Sequence, residues 1–423
     1  MKLRGPAGAL RGSAELPGDK SISHRALLHA ALSPHESRLQ NVLRAGVTAA
    51  MIDCLRKLGV SIEGTGSDLN VRGGTWQQPT VPLDCGNSGT TMRLLLGALA
   101  GMPLQVELTG TPGLRRRPMG RVARPLREMG ASISADNAPL NVRGGGLRGR
   151  EHHLQVASAQ VKAALLLAAL QADGTTTIHQ PAPSRDHSER MLRELGINVL
   201  SSAHAVRLHP SGRPLPPTRL TVPGDFSSAA FLLAAAVLLP GSAVRLRGVG
   251  VNPTRIGLLD TLNAMGADIS IENRRESGGE PVADITARYS RLRAVEVRGE
   301  LVVRMIDEFP IFAVMATQAE GMTTVRDAAE LRVKESDRIS VLAAELQRMG
   351  ITISERPDGF SLSGPQQLSA ATVDSHADHR LAMSLAVGAL LASGESSVQR
   401  AGAVHESFPA FAHTLRALGA EVR

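Results

Sequence analysis

Six stretches of the chain are apolar around nearly the whole circumference of a helix: RALLHAALS, MRLLLGALAG, VKAALLLAALQADG, AAFLLAAAVLLPG, IFAVMATQAEG and LAMSLAVGALLASG. A helix without a polar face has to be buried on all sides. Each is followed by a short strand, such as TTTIHQ or SAVRLRG, and then by an amphipathic helix such as CLRKLG or LREMG. One or two alternating strands close the unit, as in ASISAD and ADISIE. The expected order is therefore β-α-β-α-β-β.

The amphipathic helices carry a repeat signature. Leu-x-x-(Leu/Met)-Gly ends at Gly59, Gly130, Gly196, Gly266, Gly350 and Gly419, spaced 66 to 84 residues apart along the 423-residue chain. The string LNVRGG occurs at Leu69–Gly74 and again at Leu140–Gly145. Six copies thus tile the sequence, and each terminal Gly suits a left-handed helix cap. Six buried helices imply two cores of three, with the halves splitting near Val222–Asp225 and the chain start crossing over as well. A six-bladed propeller would need all-strand blades, which the helices exclude.

Composition narrows the class. Hydrophobic residues make up 43% and charged residues 20%, an ordinary globular balance. The longest uncharged apolar run, Ala229–Leu239, is too short for a membrane span, and the start MKLRGPAGALRGS lacks the layout of a secretory signal. Only Cys54 and Cys85 are present, which suits a reducing cytoplasm and rules out a disulfide framework. The net charge of +8 invites a nucleic-acid reading, but nine aromatic residues offer few stacking platforms. Of 47 basic residues only five are lysine, so each lysine is informative.

The starts of the apolar helices carry the candidate chemistry: GDKSISHR from Gly18, DCGNSGTTMR from Asp84, ASAQVK from Ala157, PGDFSS from Pro223, RMIDEFP from Arg304 and HADHR from His376. Ser, Asn and Asp there are good N-caps. Lys20, Arg25, Arg93, Lys162 and Arg380 are not, because a cation at a helix N-terminus opposes the macrodipole. Cations beside free amide donors suit bound anions. The arginine-rich LRRRPMGR at Leu114 and ELRVKESDR at Glu330 add to the set, the latter read as opening a helix with Lys334 and Arg338 on one face. SRDHSER at Ser184 is either a salt-bridge ladder or a further anion contact through Arg185. Neither a GxxxxGK[ST] nor a GxGxxG loop occurs, and no histidine set has metal-ligand spacing; His376 and His379 flank Asp378 beside Arg380. Asp307, Glu308 and Glu335 are the carboxylates available for proton transfer, although Asp307 as an N-cap and Glu335 as an ion-pair partner of Arg338 fit the sequence equally well.

Taken together, PGDKSISHRALL, LDCGNSGTTMRLL, RRPMGRVARPLREMGA, SAQVKAALLLAAL, SRDHSERML, VPGDFSSAAF, NPTR, ELRVKESDR, DHRLAMS and SFPAF resemble the 5-enolpyruvylshikimate-3-phosphate synthase family over essentially the whole chain. The resemblance implies a two-domain inside-out α/β barrel, each domain built of three β-α-β-α-β-β units around buried helices. Its domains would be 1–17 with 225–423, and 18–224, with the active site in the cleft between them. It implies transfer of the enolpyruvyl group of phosphoenolpyruvate to the 5-hydroxyl of shikimate 3-phosphate, with release of phosphate and with no cofactor or metal. By resemblance, Lys20, Ser21, Arg25, Ser158, Ala159, Gln160, Arg185, Asp307 and Lys334 contact shikimate 3-phosphate. Lys20, Asn87, Gly89, Arg117, Gln160, Glu335, Arg338 and Arg380 contact phosphoenolpyruvate. Asp307, Glu335, Lys20 and Lys334 are the implied catalytic set, with Asp307 as base for the hydroxyl and Glu335 as acid at C3.

The chain departs from the family at two places. Glu406 stands before Ser407-Phe408-Pro409 where many members have Lys, and Ala159 replaces a second Ser. Gly89 is retained where a larger residue shields the site from glyphosate, so inhibition competitive with phosphoenolpyruvate is expected. The expected partners are the two small-molecule substrates, without nucleic acid or membrane, for a cytoplasmic monomer. A sister enzyme acting on a UDP-sugar would use a loop cysteine, whereas Cys85 opens a helix and Cys54 lies within one. A DNA clamp would spread its cations over all six copies instead of gathering them at helix starts.

Overall fold

In the computed structural model, which describes all residues from Met1 to Arg423, the chain divides into two compact units. The first unit comprises Met1–Pro17, Gly224–Arg275 and Pro281–Arg423; the second comprises Gly18–Pro223 with Glu276–Glu280. Each has its own hydrophobic core. The second unit holds helices α1 (Lys20–Leu32), α2 (Gly89–Ala100) and α3 (Ala159–Ala169). The first holds α4 (Phe226–Leu238), α5 (Phe309–Ala316) and α6 (His379–Leu391). These are the six all-apolar segments, and every residue of α4 and α5 is buried. The approach of α2 to α3 depends on Gly97, where a Cβ would lie 2.1 Å from the Ala164 carbonyl oxygen. No helix is long and apolar enough to cross a membrane.

The sheets repeat one pattern. In the order Leu83–Asp84, Gln105–Thr109, Leu140–Arg143, Ser132–Ile133, the first pair is parallel and the next two are antiparallel. The sheets containing Glu151–His153 and Glu296–Val297 are built identically. All six sheets are open, so no single sheet closes into a barrel; helices fill the interior of each unit. The six repeat-ending glycines all have positive φ, from 74° at Gly196 to 116° at Gly130, the region in which a side chain is strained.

Three sheets recruit strands from distant sequence. Arg219–Thr221 opens the sheet of Ser37–Gln40, and Arg11–Glu15 opens that of Ala243–Gly250, each in parallel. The sixth copy has no closing hairpin of its own. Lys2–Gly5 pairs antiparallel with Gly394–Ser397 in its place, and Leu3 bridges to Val422. The backbones of Lys2 and Arg423 exchange two hydrogen bonds of 2.8 Å.

One expected helix is displaced. Ala329–Val333 is a short 3₁₀ turn and the following helix begins only at Arg338. Asp337 caps it, accepting from the amides of Ile339 and Ser340 at 3.1 Å. Lys334 therefore lies in the preceding loop and does not share a helical face with Arg338. The cap stops the helix from extending backwards.

Helix α1 buries two neutral imidazoles. Burial lowers the pKa of His24 to about 4 and that of His29 to about 3. His24 Nδ1 lies 2.7 Å from the Lys20 carbonyl oxygen, which assigns it the proton, and Nε2 faces the Thr91 hydroxyl at 3.1 Å. A histidine whose folded pKa is depressed contributes its full stability above its unfolded pKa, near 6.5, and loses it as pH falls toward the folded value. The second unit is accordingly expected to lose about 2 kcal/mol per histidine between pH 7 and pH 5. Trp76 reports on it directly: this buried indole donates to the Ala31 carbonyl of α1 at 3.0 Å, and it is the chain's one tryptophan. The urea midpoint followed by Trp76 fluorescence should fall over this range, with the slope about halved in His29→Leu; an unchanged slope in that variant would refute the assignment.

Candidate active site

In the second unit the starts of α1, α2 and α3 are linked by their own side chains. Asp19 caps α1 by accepting from the Ile22 amide at 2.9 Å, which sets Lys20 and Ser21, both half-buried, in the first turn. Arg25, one turn on, is buried and uses three of its five donors: its Nε donates to Ser188 Oγ at 2.7 Å, Nη1 to the Ser21 carbonyl at 2.9 Å and Nη2 to the Ala159 carbonyl at 3.4 Å. Burial lowers its pKa, and the nearby Glu189 and Asp19 carboxylates oppose that shift. The charge is retained, since a guanidinium starts from so high a value. Arg185 also acts on Arg25, as a like charge.

At α3, Ser158 is the cap, accepting from the Val161 amide. Gln160 is oriented at both ends: its Nε2 donates to Thr90 Oγ1 at 2.9 Å and its Oε1 accepts from Arg93. Gly89 begins α2, and a Cβ there would meet Arg93 Nη1 at 3.0 Å and Arg117 Nη1 at 3.4 Å. Two guanidiniums therefore crowd the helix start, and a side chain at residue 89 would displace them. Asn87 accepts from the Thr111 hydroxyl at 3.2 Å. The α3 start is thus tied to α1 through Arg25 and to α2 through Arg93 and Thr90, with Arg117 close to Gly89.

In the first unit a second constellation centres on Asp307, in the turn before α5. Its carboxylate lies 3.6 Å from Arg338 Nη1 and 3.5 Å from Arg380 Nη2, and Arg380 Nη1 donates to its backbone carbonyl at 3.2 Å. The cap of α5 is Glu308, so Asp307 is not spent on capping. Arg338, only 1% exposed, is held by Asp378 at 2.8 Å and Glu335 at 2.7 Å. Burial opposes its charge, but Asp378 and Glu335 outweigh it and raise the pKa above the ordinary value. The ion pair of Glu335 with Arg338 is therefore present, and it leaves the Glu335 side chain 26% exposed. Lys334 is lowered from its ordinary value by burial, with Asp307 the main opposing charge. One carboxylate is thus surrounded by an ammonium and two guanidiniums.

Several supporting residues were not legible as a set. Arg255, from the NPTR segment, binds Glu308 at 2.8 Å, and Ser227, from the PGDFSS segment, donates to the same carboxylate at 2.6 Å. Glu308 also faces Arg380 at 3.7 Å, so this buried group steadies Arg380 from behind. In the second unit Lys162 is 1% exposed and pairs with Glu189 at 2.6 Å, so it is a buried structural cation and not a free one. Its Nζ also donates to the Ser184 carbonyl at 3.3 Å, which braces the loop carrying Arg185. The signal available was charge inside an otherwise apolar helix.

Near the C-terminus Glu406 ends a 3₁₀ turn that packs against α6, and Phe408 behind it is buried against Phe411 at 5.7 Å.

The profile of EPSP synthase (3-phosphoshikimate 1-carboxyvinyltransferase) matches residues 5–415. The chain belongs to the EPSP synthase family. It is 47% identical to the 3-phosphoshikimate 1-carboxyvinyltransferase of Syntrophomonas wolfei, over 99% of both chains. It is 49% identical to that of Desulforudis audaxviator, over 98% of this chain and 99% of the relative. Among solved structures, EPSP synthase from Acinetobacter baumannii superposes with a TM-score of 0.89 at 40% identity, covering 99% of this chain and 97% of that one. The enolpyruvyl transferase NikO from Streptomyces tendae shares the fold, with a TM-score of 0.84 at 21% identity and coverage of 100% and 98%. Within the EPSP synthase family the fold class expected from the repeats is the one found.

Proposed function

We propose that the chain transfers the enolpyruvyl group of phosphoenolpyruvate to the 5-hydroxyl of shikimate 3-phosphate, a step toward chorismate and the aromatic amino acids. The observation that carries the reading is Asp307, a carboxylate set among Lys334, Arg338 and Arg380. A base so placed stays ionised, and the surrounding cations suit substrates that are themselves phosphorylated carboxylates.

The reading assigns both constellations to one substrate pair. Lys20, Ser21, Arg25, Ser158, Ala159, Gln160 and Arg185 hold shikimate 3-phosphate, with Ala159 contributing backbone only. Asn87, Gly89, Arg117, Gln160, Glu335, Arg338 and Arg380 receive phosphoenolpyruvate, and Lys20 reaches both. Asp307, beside Lys334, takes the proton of the 5-hydroxyl as its oxygen bonds to C2 of the enol, and Glu335, entering the step as the carboxylic acid, delivers a proton to C3. The adduct carries both the new ether oxygen and the phosphate on C2. Glu335 then removes a C3 proton, the C2=C3 bond re-forms and the C2–O bond to phosphate breaks. Lys20 and the arginines stabilise the departing phosphate, which takes up the proton held by Asp307. No electrons are gained or lost, so the step calls for no redox partner.

We take the chain to work as a monomer in the cytoplasm, on small molecules and not on nucleic acid or membrane. The scarcity of aromatic residues leaves few platforms for stacking nucleic-acid bases. A cysteine-based variant of the chemistry is not favoured. Cys85 is fully buried, and a hydrogen bond with Cys54 together with burial pushes its thiol well up.

Phosphate release should require both substrates together and fall at least a hundredfold in Lys20→Met, with the fold intact by circular dichroism. Release from phosphoenolpyruvate alone, or none from folded protein, would overturn the reading.

A further inference from the structure

The outer face of one sheet in the second unit carries a group of ligand-type side chains that the proposed reaction does not use. Glu151 and His153 are alternate residues of the edge strand Glu151–His153, and His179 lies in register opposite His153 on Thr176–His179. Between them His152 and Ile178 point inward and are buried, so the three named residues share the outward face. His179 Nε2 is 2.8 Å from Glu151 Oε1, and His153 Nε2 is 3.6 Å from the same oxygen. The two imidazoles stack with centroids 4.5 Å apart and planes within 8°. One ligand atom from each residue falls within 4.8 Å of the others. On the far side of His179 its strand neighbour is Ala205, which leaves the imidazole uncrowded.

We propose that Glu151, His153 and His179 form a binding site for a divalent transition-metal ion, with Zn²⁺ the preferred species and water as the fourth ligand. Imidazole nitrogens and carboxylate oxygens sit about 2.0–2.2 Å from zinc, so tetrahedral ligands are about 3.3 Å apart, a value the two observed separations bracket. Two histidines with one carboxylate suit zinc, cobalt and nickel better than magnesium or calcium, which prefer all-oxygen shells. Arg207 shares this face, its Nε donating at 3.3 Å to Oγ1 of Thr177, which is in register with Glu151. A bound ion would clip a three-residue edge strand to its neighbour, so it would stabilise the second unit by binding only the folded form.

The test uses the full chain, freed of metal by a chelator and titrated calorimetrically with ZnCl₂ at pH 7.5, with Co²⁺ absorption as a second readout. One equivalent should bind, a tetrahedral cobalt spectrum should appear, and the thermal midpoint should rise by several degrees at saturating zinc. His153→Ala and His179→Ala should each weaken binding at least tenfold, while His209→Ala, on the next strand with its Nδ1 at 2.9 Å from Thr175 Oγ1, should not. Absence of binding at millimolar zinc, or equal affinity in His179→Ala, would overturn the proposal. The result is independent of the proposed reaction, because none of these readouts measures turnover.

Discussion

Asp307→Asn is expected to lower kcat by two to four orders of magnitude while moving KM for either substrate only a few-fold. The range is that of a general base removed from a transition state. Asparagine keeps the size of the side chain and can still accept from Arg338 and Arg380, which lie 3.6 and 3.5 Å away. Both arginines also retain other carboxylates, Asp378 with Glu335 for one and Glu308 for the other, so the site should not collapse. Only the capacity to take a proton is lost. The pH profile separates this from a structural role, because the ionisation that limits kcat on the acid side should vanish in the variant. Near-normal turnover with intact substrate binding would reject Asp307 as the base.

Lys162→Met is expected to cost about 3–5 kcal/mol of stability, the usual penalty for leaving one member of a buried ion pair behind. Lys162 and Glu189 are each 1% exposed, and Glu189 Oε2 has no hydrogen-bond partner, so removing the lysine takes away the direct ion-pair partner of a buried carboxylate. Glu189→Leu alone should be similarly damaging. The double variant Lys162→Met/Glu189→Leu should recover most of the loss, since two apolar side chains can replace a buried pair at little net cost. Urea unfolding followed by Trp76 gives the cycle, and simple additivity of the two losses would show that the residues are not coupled.

The repeat and its buried helices were legible because the information is local. A helix apolar all round has one environment available to it, and a glycine after Leu-x-x-(Leu/Met) has one conformation to supply. The strand assignments were not. Segments such as RLT at Arg219 or KLRG at Lys2 fix a pleat and a face but say nothing about which strand lies alongside. The helix expected over Lys334 and Arg338 begins only at Arg338, because the capping side chain of Asp337 outweighs the i, i+4 spacing of the two cations. Among the candidate site residues, the sequence exposed the cations but not what restrains them. Ser188 is 163 residues from Arg25, and Glu308 is 53 from Arg255. Such partners become visible only in three dimensions. The Glu151, His153 and His179 group escaped for the same reason: strand pairing, not sequence spacing, brings its third member in.

The joining of Lys2–Gly5 to Gly394–Ser397 sets an order of events during synthesis. The second unit is nearly continuous, from Gly18 to Pro223, and lacks only five residues that follow later. It can consolidate while the ribosome is still at work. The first seventeen residues belong to the other unit: Arg11–Glu15 can pair once Ala243–Gly250 emerges, but Lys2–Gly5 must wait for Gly394–Ser397, about 20–80 s later at ordinary elongation rates. During that interval Lys2–Gly5 is an unpaired strand with alternating buried and exposed positions. Nascent-chain proteolysis should therefore find the N-terminal segment open long after the second unit has become resistant, and should find it closed only after release.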